Sequence, residues 1–353
     1  MRILHVTPHL GGGVGKAHAA MAPYIEAEQT FALLNVPQDW RYAKAVLLPG
    51  KWLNVAPAPE IIADLIRDAD IVQFEYWDQP SLLALLATEL PPMRAVFWQH
   101  KRSLPPPPGR VVYTSALSGE PHINSGFGFD QPIRTRGGSN IAYLGTVNLS
   151  KMSPVFFDVM DRVNARAFVY GHASEEVEAR VREMNHPYRV KLAGHTTDPQ
   201  GALRGCGIFF YPLIADHYGT GENALCEAMS MGLVPVVLNN EVERGIVGDA
   251  GVICQDADSC VSAIMRLMSD ANLMRNMSER AIERARAFSP ERSAAQFMEL
   301  WGSMMAEPLQ VLPIVPIVDQ DARPIPAAAR TTEPRAEVSK RPRRRRGVQA
   351  AAS

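Results

Sequence analysis

The residues best equipped for chemistry stand in one run, Tyr211-Pro-Leu-Ile-Ala-Asp-His-Tyr-Gly-Thr-Gly-Glu-Asn-Ala-Leu-Cys-Glu-Ala-Met-Ser-Met-Gly232. The apolar stretch Ile208–Tyr211 gives way to a polar loop, a helical pattern begins near Glu222, and Gly232 stops it. The first N–H groups of a helix have no acceptor within it and carry the positive end of its dipole. A phosphate therefore suits Gly221-Glu222-Asn223. Glu227 follows about five residues into the helix, roughly 7–8 Å along its axis, comparable with the reach from a diphosphate to its ribose. One element can hold phosphates at its tip and ribose hydroxyls on a carboxylate. Three further candidates lie elsewhere: Lys151, in Tyr143-Leu-Gly-Thr-Val-Asn-Leu-Ser-Lys151; His100, closing the apolar run Ala95–Gln99; and the glycine loop Gly11-Gly12-Gly13-Val14-Gly15, after the run Arg2–Thr7. Glycines let a backbone come close to a ligand. The loop is no P-loop, since Leu10 stands five positions before Gly15 and Ala17 follows Lys16, where Ser or Thr would hold magnesium.

The elements that position these residues alternate between strand and helix. Strands are predicted at Arg2–Thr7, Phe31–Val36, Asp70–Phe74, Ala95–Trp98 and Val111–Thr114. A polar, Gly-rich stretch from Ser118 to Asn140 breaks the pattern and reads as an interdomain linker. Alternation resumes at Ile141–Leu144, Ala167–Tyr170, Val190–Ala193, Ile208–Tyr211 and Val234–Leu238. Strands separated by helices of this length build parallel sheets. Two such runs predict an α/β chain of two doubly wound, Rossmann-like domains, 1–135 and 136–305. Helices are expected over Asp258–Asp270, with Val261, Ile264, Met265 and Met268 on one face, and over Asn272–Phe288, with Leu273, Met277, Ala281 and Ala285. A third opens on Ser289-Pro-Glu291 and runs to about Met305. Beyond it, proline recurs at 308, 313, 316, 324, 326, 334 and 342, and 306–353 is predicted to be a disordered, basic tail, apart from an apolar Leu309–Val318 able to dock locally.

Composition narrows the classes. The 353 residues are 46% hydrophobic and 21% charged, a globular balance large enough for two cores. A net charge of −1 points to no partner, but residues 306–353 carry nine Lys/Arg against five Asp/Glu on a mildly acidic body. No run approaches the ~18–20 apolar residues of a membrane span, and the apolar start is too short for a signal peptide. The expected location is cytoplasmic. Cys206, Cys226, Cys254 and Cys260 form no C-x-x-C pair and sit among apolar residues, as in a reducing compartment.

The run Glu222–Gly232 followed by Val234-Pro-Val-Val resembles the nucleotide-binding motif of glycosyltransferase family 4, retaining enzymes of the GT-B fold. That family carries two glutamates eight positions apart, and Glu227-Ala228-Met229 fits the second, which binds the nucleotide ribose. The first, which lies beside the donor sugar, falls on Gly219, so this sequence departs there. Glu222 or Asp216 is the substitute that a shifted loop would offer. Tyr143–Lys151 resembles the strand that brings an arginine and a lysine to the donor diphosphate; Lys151 fits the lysine and Thr146 stands at the arginine. Gly11–Gly15 resembles the glycine loop facing donor and acceptor, and His100 stands where a donor-sugar histidine is often found. The resemblance covers residues 1–305 and is weakest between 30 and 135. It implies transfer with retention from a nucleotide-sugar to a hydroxyl acceptor, lipid-linked acceptors included, in glycan, polysaccharide or glycolipid synthesis. Lys151 and His100 would be catalytic, and Gly12, Gly13, Thr146, Gly221, Glu222, Asn223 and Glu227 would bind the donor. The rival reading is a non-catalytic nucleotide-sugar-binding protein on the same fold. A dinucleotide oxidoreductase is disfavoured, because the loop lacks G-x-G-x-x-G with an acid about 20 residues on.

No metal or other cofactor is expected. His5 and His9 sit on strand and loop rather than one helical face, and the pairs Asp68/Asp70, Asp256/Asp258 and Asp319/Asp321 do not follow a strand into a cleft. His195 and His217 are weaker site candidates. Lys340-Arg-Pro-Arg-Arg-Arg-Arg346 reads either as a solvated tail or as a contact for an anionic membrane surface, which would make the protein peripheral there. Nucleic acid is disfavoured, since no aromatic residues interleave the charge.

Overall fold

The structure is a computed structural model that describes residues 1–35, 51–54, 59–77, 79–101, 109–114, 121–125, 138–217, 219 and 221–314. The described residues fall in one compact unit. The first sheet comprises β1 (Arg2–Thr7), β2 (Glu28–Leu33), β3 (Lys51–Asn54), β4 (Ile71–Tyr76), β5 (Ala95–Gln99) and β6 (Arg110–Tyr113). Its helices are α1 (Gly12–Met21), α2 (Pro59–Asp68) and α3 (Pro80–Leu86). The second sheet comprises β7 (Ile141–Leu144), β8 (Ala167–Tyr170), β9 (Val190–Gly194), β10 (Ile208–Tyr211), β11 (Val234–Leu238) and β12 (Val252–Cys254). With it come α4 (Val155–Arg162), α5 (Glu175–Glu183), α6 (Pro199–Leu203), α7 (Asn223–Ser230), α8 (Glu241–Val247), α9 (Ala257–Ser269) and α10 (Ala271–Ala285), and α11 (Pro290–Met304) ends the helical series.

The strand orders are β3-β2-β1-β4-β5-β6 and β12-β11-β10-β7-β8-β9, and every strand pair is parallel. Counted from its own first strand, each sheet has the same doubly wound order, reversing direction between first and fourth strands. Ligands bind such sheets beyond the carboxyl ends of the strands, at that reversal. The reversal lies between β1 and β4 in one sheet and between β7 and β10 in the other. The glycine loop follows β1, Gly145–Lys151 follows β7, and the Pro212–Glu222 loop follows β10.

Several elements differ from expectation. Strand β2 begins at Glu28 rather than Phe31, because pairing with β1 from Arg2↔Glu28 draws three polar residues into the ladder. Strands β3 and β12 are four and three residues long, too short to reveal a period of two. Helix α9 buries Cys260, Val261, Ile264 and Leu267, whereas Met265, expected inside, is exposed. The helix rotates to place Leu267 inward, and flexible Met265 tolerates solvent. Helix α11 falls by sequence within the expected domain 136–305. It packs instead into the first sheet's side, where Phe297, Trp301 and Met304 share a cluster with Ile3, Val96 and Trp98. Trp301 Nε1 donates to Gln73 Oε1 at 3.0 Å.

The tail departs from the prediction over 306–308, whereas the apolar stretch expected to dock locally does so over 309–314. Gln310 and Met93 exchange backbone hydrogen bonds of 2.9 Å, Leu312 packs on the first core, and Arg110 meets Glu307 at 2.5 Å. Leu309, Val311 and Ile314 stay exposed, so the backbone pairing at Gln310, the Leu312 side chain and Glu307 make these contacts. The remainder of the tail, with Asp319/Asp321 and Lys340–Arg346, lies outside the described residues, as does most of the Ser118–Asn140 stretch.

Candidate active site

On the second sheet the site grows from the loop after β10. Glu222 caps α7 with φ 30° and ψ 51°, the one positive-φ non-glycine among the described residues. An L residue adopts this left-handed state at a cost of order 1 kcal/mol or more. The conformation turns the Glu222 side chain back under the loop. Tyr211 donates its hydroxyl to Glu222 Oε2 at 2.6 Å, Lys151 Nζ stands 3.0 Å from the same oxygen, and His217 Nδ1 stands 3.6 Å from Oε1. Burial raises the Glu222 pKa, but the nearby Lys151 and His217 and the Tyr211 hydroxyl outweigh it and hold the group below its ordinary value. Burial, then the Glu222 charge, pushes the Tyr211 phenol well up. Lys151 is set by hydrogen bonds that knit its loop to the strand end: Ser153 N donates to Pro212 O at 2.8 Å, and Ile214 N to Lys151 O at 2.9 Å.

Gly219 has a specific reason to be glycine. A Cβ there would collide with Glu222 Oε1. The Glu222 carboxylate occupies the space that a side chain at 219 would enter. Asp216, the other substitute considered, is exposed. His217 is buried, accepts from Gly219 N at 3.1 Å through Nδ1, and places Nε2 2.8 Å from the enclosed Glu243.

On the first sheet, α1 starts at Gly12, with φ +60°, and Gly15 is required by close packing, since a Cβ would strike the Leu10 carbonyl. This compact turn aims Lys16 across the cleft, where its ammonium pairs with Glu227. Glu227 is 2% exposed. The Ser125 hydroxyl bonds Asn223 Oδ1 across the same gap, and Lys101 bridges to Gly219. Behind His100 lies Glu75, fully buried at the end of β4. Its Oε2 takes His100 Nε2 at 2.8 Å and its Oε1 takes Gln73 Nε2 at 2.9 Å, with His18 Nε2 at 2.9 Å and His5 Nδ1 at 3.6 Å. Burial raises the Glu75 pKa, yet the surrounding His18, His100 and His5 hold it well below the usual carboxylate range. Burial pushes His5 down to about 4.

Two adjoining cavities run between the sheets. One, of about 570 Å³, is lined by Gly12, Gly13, Lys16, Thr146, His172, His195, Asn223 and Glu227, among others. The other, of about 340 Å³, is lined by Gly13, His100, Thr146, Lys151, Gly221, Glu222 and Asn223, among others. Lys151, His100, Gly12, Gly13, Thr146, Gly221, Glu222, Asn223 and Glu227 therefore each line one or both, and so does His195 but not His217 or Asp216. His195 stacks on His172 with centroids 5.3 Å apart. Sequence reasoning missed Lys16 as a site residue, Glu75, His172 and Ser125. A signal existed for two: Lys16 directly follows the glycine loop, and Gln73 and Glu75 are polar alternate residues in an otherwise apolar strand, Ile-Val-Gln-Phe-Glu-Tyr.

The other candidates have structural partners. His9 lies on the loop and accepts from Gly11 N at 3.1 Å, while His5 is stacked on Phe31 in the core, so they do not pair. Asp70 accepts from Arg2 N at 2.7 Å, and Asp256 caps α9. Two sets could present three metal ligands, His5/His18/Glu75 and His217/Glu222/Glu243, with ligand atoms within 4.8 Å of one another. Glu75 and Glu222 each already engage several donors. All four cysteines are buried and free.

Residues 138–270 match the family model for glycosyl transferases, group 1. A glycosyltransferase of Rickettsia africae ESF-5 aligns over 87% of this chain and 99% of its own, with 12% identity and a TM-score of 0.67. HepE of Anabaena, solved with UDP, aligns over 86% and 100%, with 14% identity and a TM-score of 0.68. Sucrose-phosphate synthase of Thermosynechococcus elongatus aligns over 87% and 99%, with 14% identity and a TM-score of 0.61. No curated relative matches the chain by sequence. These likenesses define a fold, that of the two-sheet GT-B glycosyltransferases. Through its group 1 domain the chain is a glycosyltransferase.

Proposed function

We propose that the protein transfers a hexosyl group from a nucleoside-diphosphate-sugar to a hydroxyl acceptor with retention, the acceptor belonging to a glycan or glycolipid. The observation that carries this reading is the pair of adjoining cavities, with Glu227 and Lys16 in one, Lys151, Glu222 and His100 in the other, and Thr146 and Asn223 in both. The larger cavity suits the nucleoside, its ribose hydroxyls on Glu227. The diphosphate then falls at the start of α7, where the N–H groups of Asn223 and Ala224 precede the helix's own hydrogen bonding. Lys151 stabilises negative charge as the diphosphate leaves. Lys16 gives up Glu227 to the ribose and becomes a second cation for the phosphates. Glu222, in the space facing Gly219, serves the sugar hydroxyls in place of the absent first glutamate. No protein nucleophile is required, and no metal is assigned a role. The UDP and UDP-glucose bound by HepE make UDP-hexose the first donor to try. An anionic membrane at Lys340–Arg346 would bring the protein to lipid-linked acceptors.

The test is calorimetry with UDP, GDP and ADP. A carboxylate bonded to ribose hydroxyls contributes about 1.5–3 kcal/mol. Glu227→Ala should therefore weaken the preferred nucleotide about ten- to hundred-fold. Unchanged affinity rules out the ribose role.

A further inference from the structure

His100 reaches the cleft, yet its ring is held from behind by a carboxylate that never does. Glu75 is 0% exposed, while the His100 side chain is 12% exposed and lines the same cavity as Lys151 and Glu222. Burying an ion is unfavourable unless hydrogen bonds replace its water. Glu75 meets that condition with hydrogen bonds from Gln73 on its own strand and His100 after β5, and with His18 Nε2 on α1 at 2.9 Å. Gln73 is itself fixed, because its Oε1 accepts from Trp301 Nε1 and so leaves its Nε2 to donate to Glu75.

This arrangement has a chemical consequence for the ring at the cleft. The Glu75 carboxyl is ionised at neutral pH, and an ionised carboxylate accepts but cannot donate. The 2.8 Å bond to His100 Nε2 therefore requires a proton on Nε2. A neutral imidazole has one N–H. Nδ1 is then the ring nitrogen left for a bound molecule, and it presents a lone pair.

We propose that Glu75 is a positioning residue that fixes His100 as the Nε2–H tautomer, so that Nδ1 accepts a hydrogen bond from a hydroxyl of the bound sugar or acceptor. The selectivity follows from the chemistry. A ring fixed this way recognises hydroxyl donors, and it cannot donate to a phosphate without taking up a second proton. His100 thereby belongs to the sugar or acceptor end of the cleft, and Lys151 with the α7 start to the phosphate end. This assignment rests on the glycosyl-transfer reading above, but the tautomer itself does not.

The experiment uses the full chain labelled with ¹⁵N-histidine. Long-range ¹H–¹⁵N correlation at neutral pH reads the tautomer of each ring, and the His100 signals are identified by their loss in His100→Gln. A protonated Nε2 with a bare Nδ1 is expected, and a protonated Nδ1 with a bare Nε2 overturns the proposal. In Glu75→Gln the side-chain amide can offer its own N–H to Nε2, so the ring should flip to Nδ1–H. Transfer should then fall about two- to ten-fold, as for loss of one hydrogen bond between neutral groups. Glu75→Asp should restore the Nε2–H signature and part of the rate. A Glu75→Gln protein that keeps the Nε2–H tautomer or transfers at the wild-type rate overturns the positioning role. If Glu75→Gln fails to fold, the wild-type spectrum still decides. If no donor supports transfer, the glycosyl-transfer reading falls while the spectra continue to test the tautomer.

Discussion

Glu75 and Glu222 invite direct comparison. Each is a buried carboxylate near the carboxyl end of a fourth strand, each is held by several side chains, and each has its pKa held down despite burial. Their surroundings differ. Glu75 is ringed by imidazoles and an amide on the apolar side of the first sheet, with Phe31, Trp98 and Trp301 around those rings. Glu222 is paired with an ammonium that lines a cavity, on a residue held in a left-handed conformation. The imidazole-ringed carboxylate orients a neighbour. The ammonium-paired one can trade its partner for a ligand. The same residue type does different work according to its partners, imidazole rings in one case and an ammonium in the other.

Removing the counter-charge at the Glu222 cluster should have the largest effect. Lys151→Ala should lower kcat about 100- to 1,000-fold, the range for loss of one preorganised donor to developing charge, with a smaller change in the donor KM. Steady-state kinetics over donor concentration tells the two apart, and a pure KM effect would make Lys151 a ground-state contact.

The enclosed cluster should reveal itself through pH. His5 is held at about 4 against an ordinary 6.5, so between these values the unfolded chain binds more protons than the folded one. Stability therefore rises with pH through this window and is lost on acidification, by on the order of 3 kcal/mol in all. Glu75, with its depressed value, adds a loss below the ordinary carboxylate range. Urea unfolding from pH 7 to 4 should show the slope, and His5→Leu should flatten the part above pH 4.5. An unchanged slope would mean that other groups carry the acid lability.

The smallest effect sharpens the Glu222 side. Gly219→Glu alone should clash with Glu222, and Glu222→Gly alone should remove the carboxylate; each should lower transfer about ten-fold or more. The double variant Gly219→Glu/Glu222→Gly moves the carboxylate back three positions and should recover activity relative to both. A double variant as poor as the worse single would show that Glu222 does not stand in for residue 219.

Much of this site was legible in the sequence because its parts lie in two continuous runs. The nine residues from Gly219 to Glu227 and the loop to Lys151 keep their spacing whatever the fold does. What was not legible depends on contacts between distant segments. Glu75 gains meaning only when β4 pairs with β5 at Glu75↔Trp98, bringing His100 alongside, and when α1 folds His18 onto it. The strands were visible by period and apolar content, except β3 and β12, which are too short to show either. Helix α11 was found by its cap and misassigned in space, since a cap specifies where a helix starts and says nothing of which sheet it covers.

That last helix has a consequence for how the chain is made. Phe297, Trp301 and Met304 complete a core whose other members include Ile3 and Trp98, and Trp301 bonds a residue 228 positions earlier. The first sheet leaves the ribosome long before the helix that seals it. During synthesis it waits with an apolar face uncovered while the whole second sheet emerges, is free to fold, and only then delivers the seal. The first lobe is thus the last to be finished, and a chain stopped before residue 290 would expose the unsealed side of β1, β4 and β5 to chaperones and proteases.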